Sequence, residues 1–251
     1  MSGATSYVLV DESSAPELKG ESTPLVRMAA DIQSAYDCDF APMHGVLPVE
    51  IRVRHPLEVQ PGQRVLHIVD SVEDAPGALA YHTIDDHGNP VLRLGVNEHR
   101  RLRGNLVDLL SESISHEIFE TAKNPFVNCY LDCGSTKKVA YEVCDPVQGT
   151  PYRHNGTLIA NFVLPAWADA EDDEGPYDFV TASHGQAVLT KPFDCYPTGY
   201  LAFDDGSQTF GEKITEERKA NAMFARVAHK QTMTLLRSTP PEAYEAPVGV
   251  L

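Results

Sequence analysis

From Asn105 to Lys123 the chain runs without a glycine or a proline, although 17 glycines and 18 prolines are scattered through its 251 residues. An uninterrupted window of that length holds about five turns of α-helix. Asn105 is a favourable N-cap, and Asn124-Pro125 cannot continue the helix. Leu106, Leu109, Leu110, Ser113 and Thr121 predict that the middle of this helix is buried.

That middle reads Ser115-His116-Glu117-Ile118-Phe119-Glu120-Thr121. His116 and Glu120 are four residues apart, so both leave one helix face about a turn apart, the spacing that two ligands of one metal ion need. Glu117 stands beside them. In the His-Glu-x-x-His pattern of zinc peptidases the middle Glu is the general base that takes a proton from water held by the metal. Here Glu120 replaces the second His. Unpaired charges in a buried helix are costly without a counter-ion, which favours a metal over an ordinary surface helix.

A third ligand has to come from elsewhere. Tyr141-Glu142-Val143-Cys144-Asp145-Pro146 supplies Glu142 as first choice and Asp145 as second, each with a turn-capping role as the alternative. Tyr141, Tyr152 and His154 lie near that segment and are the candidate oxyanion donors, with Tyr152 and His154 carried forward as catalytic. Cys129, Cys133 and Cys144 offer a separate thiolate site, although Cys-x-x-x-Cys is not a strong zinc-ribbon spacing. His82 and His87 flank a predicted hairpin and read first as solvent-exposed turn histidines, with contact to substrate as the alternative.

The rest of the chain predicts an α+β fold. Tyr7–Val10 reads as a strand, Thr23–Tyr36 as a helix, and Val49, Ile51 and Val53 alternate with charged residues as a half-buried strand does. Val65–Val69 is another strand. Asp86-His87-Gly88-Asn89-Pro90 is turn chemistry between Ala78–Ile84 and Val91–Val96. Short strands follow at Thr157–Leu164, Phe179–Thr181, Ala187–Thr190 and Tyr200–Phe203, with Trp167 as a packing anchor. A C-terminal helix is expected from Lys213 to Leu236, then a Pro-containing tail, so the division is residues 1–212 for the main domain and 213–251 for helix and tail.

The order of elements before the helix, with Asp74-Ala75-Pro76-Gly77-Ala78-Leu79-Ala80-Tyr81-His82 leading into it, resembles the N-terminal half of zincin metallopeptidases. Ser-His-Glu-x-x-Glu followed by Asn124-Pro125, Glu142-Val143-Cys144-Asp145-Pro146 and Asn161-Phe162-Val163-Leu164-Pro165 is similar to a zincin-like group of bacteria and their phages, over roughly residues 50 to 205. The resemblance implies a mixed twisted sheet with an active-site helix. It also implies one zinc ion per chain on His116 and Glu120, with Glu117 activating water for hydrolysis of peptide or amide bonds. The hairpin would offer an edge strand to an extended peptide or protein substrate. Oxygen-rich coordination leaves room for manganese or iron, and carboxylate ligands make the site's water less acidic than a three-His site does.

A net charge of −16 repels nucleic-acid phosphates and anionic membranes, and no apolar stretch approaches a bilayer span. Neither nucleic acid nor membrane is an expected partner. Without a signal-peptide pattern the expected location is the cytoplasm, or a virion for a phage-encoded chain. The competing function is structural: a catalytically weak zincin-like assembly or virion protein that keeps its metal as a staple, joining copies or partners through the C-terminal helix and tail.

Overall fold

The computed structural model describes residues 5–19, 23–85 and 87–214. The expected C-terminal helix and tail lie outside these residues, apart from Lys213 and Ile214. The architecture is mixed α+β around one five-stranded sheet.

The sheet is built from β1 (Thr5–Asp11), β2 (Val49–Val53), β3 (Arg64–Val69), β4 (Ala80–Ile84) and β5 (Pro90–Gly95), in the order β2-β1-β3-β5-β4. β1 is parallel to β2 and β3, and β3 to β5, whereas β4 runs antiparallel to β5. Tyr7, Val8, Leu9 and Val10 are all buried, the continuous apolar run of a strand covered on both faces. The β4–β5 turn is fixed by Asp85, whose Oδ1 accepts from the backbone N–H groups of His87 and Asn89. The antiparallel β4 thereby becomes an outer edge of the sheet.

Two helices lie against this sheet and touch each other: α1 (Pro24–Ala35) packs on β2, and α4 packs on β4 and β5. Short helices α2 (Ala41–His44) and α3 (Val96–Arg100) precede α4, which spans Leu106–Lys123. Asn105 caps it by accepting from Asp108 N, and Asn124 ends it outside helical geometry before Pro125. Residues 114–121 are all buried. The middle of the helix is therefore enclosed on every side. The sheet and α1 cover part of it, and a hairpin of β8 (Tyr152–His154) and β9 (Thr157–Ile159) covers another part. Its tight turn places Asn155 and Gly156 at φ 51° and 87°, the left-handed pair that an Asn-Gly hairpin favours. Earlier in the chain β6 (Tyr130–Asp132) pairs with β7 (Lys138–Ala140).

An aromatic cluster ties the layers together. Phe119 of α4 stacks on Phe40 with centroids 4.5 Å apart, and Phe162 meets both rings edge-on. Trp167 is fully buried and donates its Nε1–H to Asp194 O, in line with the expected anchoring role.

The second half departs from expectation in three places. Phe179–Thr181 is not a strand but the start of α5 (Phe179–His184), because Asp178 caps it by accepting from Thr181 N and Gly185 closes it at φ 68°. Capping overrides the β-propensity of Phe-Val-Thr. The expected strand Thr157–Leu164 ends at Ile159, where Asn161 takes the backbone N–H groups of Phe162 and Val180 on its own side chain. Ala187–Thr190 forms no strand, while Tyr200–Phe203 is β10 (Tyr200–Ala202), paired with β11 (Gln208–Phe210). Among the described residues no helix is long and apolar enough to cross a membrane.

His44 joins the aromatic cluster, 4.6 Å from Phe40, with Nε2 donating to Val163 O. Burial, helped by the Lys123 charge, lowers its pKa to about 4. In the unfolded chain it titrates near 6.5, so its contribution is complete above that pH and declines as pH falls through the folded value. The window from about pH 6.5 to 4 should cost about 3 kcal/mol through this group. Urea unfolding of His44→Gln at pH 7 and pH 4.5 should show a smaller acid loss than the wild type; equal losses would rule His44 out.

Candidate metal centre

Three elements supply the site. The enclosed middle of α4 projects His116, Glu117 and Glu120, the edge strand β4 projects His82, and the loop after β7 projects Glu142 and Asp145. The loop is placed by α4 itself. Glu120 Oε1 accepts from the backbone N–H groups of Cys144 and Asp145, both at 3.2 Å. At the helix end Asn124 Oδ1 accepts from Asn128 N and Cys129 N, and its Nδ2 donates to Glu142 Oε1. Ser115, next to His116, donates its hydroxyl back along the helix to Ser111 O and accepts from Ala160 N, which fixes the far side.

Two groups of ligand atoms result. His116 Nε2 lies 3.3 Å from Glu120 Oε1 and 3.3 Å from Asp145 Oδ1. A tetrahedral ion with bonds of about 2.0 Å has ligand–ligand edges of about 3.3 Å, which both of these distances match, and one ligand atom of each of the three residues lies within 4.8 Å of the others. In the second group His82 Nδ1 lies 3.1 Å from Glu117 Oε2 and 3.5 Å from Glu120 Oε2. His82 Nε2 faces Glu142 Oε2 at 3.5 Å and has no hydrogen-bond partner. All six side chains are nearly closed to solvent; His116, at 11% exposed, is the most open.

Burial dominates the electrostatics. It pulls both imidazoles toward neutrality, but Glu120 and Asp145 outweigh it and hold His116 well above its ordinary pKa. Glu142, Glu117 and Glu120 likewise bring His82 up to about 9. The carboxylates are driven apart. Burial pushes Glu117 up despite its hydrogen bond to His82, whereas for Glu120 the His116 charge and bonds outweigh burial and keep it ionised below the usual range. One helix thus carries a readily protonated carboxyl and a firmly charged one, three residues apart.

Of the expected ligands, His116, Glu120 and Asp145 come together directly, while Glu142 joins through His82. Tyr152 and His154 are engaged elsewhere. Tyr152 donates to Asp39 Oδ2, and His154 sits between Asp39, 2.8 Å from Nδ1, and Ser34 Oγ, 2.9 Å from Nε2. The Ser34-His154-Asp39 line has the order of a hydrolase relay, yet Ser34 lies inside α1, whose N–H groups are committed to the helix. The contact docks the β8–β9 hairpin on α1. None of the cysteines enters a ligand group among the described residues, and burial keeps the Cys144 thiol protonated.

His82 is the residue that sequence reading missed. Its side chain is 5% exposed and points at α4, not at solvent. The available signal was strand alternation: Ala80, His82 and Ile84 share one face of β4, and Ile84 is buried.

Because Asn124 serves three partners, Asn124→Ala should destabilise the fold by about 3 kcal/mol in urea unfolding, through backbone N–H groups left unsatisfied; a change under about 0.5 kcal/mol would show that the loop holds itself. Compared with known protein families, curated proteins and solved structures, the chain matches none.

Proposed function

We propose that this chain is a metal-dependent hydrolase of peptide or amide bonds on a zincin-like fold. The observation that carries the reading is the grouping of His116 Nε2 3.3 Å from both Glu120 Oε1 and Asp145 Oδ1, with one ligand atom of each residue within 4.8 Å of the others, at the enclosed middle of α4 and with Glu117 one residue along. Nitrogen with two carboxylates suits zinc, and manganese or iron less well. A divalent ion bound there would supply a Lewis acid that polarises the carbonyl and acidifies water.

The residues of the chain do the remainder. Glu120 is held ionised and oriented by Cys144 N and Asp145 N, so it does not need to reorganise. Glu117 receives the proton that the attacking water loses, and its raised pKa suits it to hand that proton on to the leaving nitrogen. His82, 3.1 Å from Glu117 Oε2, steadies that carboxylate. Among the described residues β4 pairs on one side only, with β5, and its outer edge can add an extended peptide as a further strand.

Two measurements test this. Elemental analysis of protein purified without added metal should find zinc, and His116→Ala and Asp145→Ala should each hold less of it than the wild type; undiminished zinc in both variants would refute the assignment. Glu117→Gln should keep metal and fold while peptide hydrolysis falls by about 10²- to 10⁴-fold. Undiminished hydrolysis in that variant would remove Glu117 from the mechanism. A metal-loaded protein without hydrolysis of any peptide would favour the structural role.

A further inference from the structure

Glu120 divides its two oxygens. Oε1 faces His116, while Oε2 faces His82. A carboxylate directed at two separate ligand groups is the geometry of a bridge, and bridged ion pairs sit about 3.5–4 Å apart. From this we infer that the chain holds a second divalent-cation site, formed by His82, Glu117 and Glu120, next to the one on His116, Glu120 and Asp145.

Three observations support it. The first is spacing: His82 Nδ1 stands 3.1 and 3.5 Å from the Glu117 and Glu120 oxygens, close to the edge lengths of a coordination tetrahedron. The second is the outer side of His82. Its Nε2 is buried without a hydrogen-bond partner and faces Glu142 Oε2, which belongs to a carboxylate held by Asn124. A metal-bound imidazole commonly turns its other nitrogen to a carboxylate, which fixes the proton on that nitrogen and leaves the first lone pair for the ion. Here Nδ1 faces Glu117 Oε2 and Glu120 Oε2 together, and a divalent ion would take the place of the ring proton that bonds Glu117.

The third is charge. Glu117, Glu120, Glu142 and Asp145 ionised, with both imidazoles neutral as ligands, carry four negative charges in a nearly closed space. With one ion on the His116 group, protons on His82 and Glu117 have to offset the remaining charge, and a second divalent ion would take the place of both.

The consequence for activity rests on the hydrolase reading. Glu117 cannot ligate an ion and accept a proton at once, so filling the second site would switch hydrolysis off. Excess metal would then inhibit the enzyme that the first ion activates.

The test is equilibrium dialysis of the full chain against zinc, with metal counted per chain. The wild type should take up about two ions, His82→Gln and Glu117→Gln about one each, His116→Gln about one, and Glu120→Gln close to none, because Glu120 serves both. Circular dichroism checks that each variant is folded, and Glu117→Gln decides the matter where His82→Gln does not fold. A wild type that stops at one ion, retained in His82→Gln and Glu117→Gln and lost in His116→Gln, would overturn the second site and leave the proposed function standing. Loss of that single ion in both His82→Gln and His116→Gln would also overturn it, in favour of one shared centre. No ion in the wild type would overturn both.

Discussion

The structure is organised around the burial of four carboxylates and two imidazoles against the enclosed middle of α4. Removing ionised groups from water costs several kcal/mol each, and only close opposite charge and hydrogen bonds offset it. The contacts around α4 meet that requirement. Glu120 receives two backbone N–H groups, Glu142 is held by Asn124, and each imidazole sits against at least two carboxylates. What these contacts leave over is a ring nitrogen, His82 Nε2, without a hydrogen-bond partner, facing Glu142.

The surrounding fold keeps those groups in register. The parallel strands β1, β3 and β5 carry the apolar bulk, and α1 and α4 close over them. Phe40, Phe119 and Phe162 lock α4 to the segments on its far side. Rigidity there matters because a coordination group tolerates displacements of only a few tenths of an ångström. The edge position of β4 does two things together: it delivers His82 to the site and, among the described residues, leaves a strand edge unpaired beside it.

Much of this was legible before any coordinates. Asn105 and Asn124-Pro125 marked the ends of α4, the alternation at Val49, Ile51 and Val53 marked β2, and the Asp86–Pro90 turn marked the β4–β5 hairpin. His116, Glu117 and Glu120 followed from helical spacing alone. The second half was harder. Segments such as Phe179–Thr181 and Ala187–Thr190 are too short for periodicity to separate strand from turn or helix, and side chains such as Asp178 and Asn161 decided them by claiming backbone N–H groups. Tyr152 and His154 were proposed for the site on closeness in sequence to Glu142, and hairpin packing instead directs both to Asp39.

By itself, the sequence determined the strands and the two long helices of the first half, α4 with its ends, and the three chemical groups its middle carries, because all of these follow from local dihedral preference and from periods of 2 and 3.6 residues. Only the tertiary structure decided that Asp145 meets His116, that Glu142 meets His82, and that a hairpin histidine belongs to the site at all. Those pairings join residues from different elements. Their distances are set by how a strand edge, a helix and a loop pack, and no local periodicity encodes that.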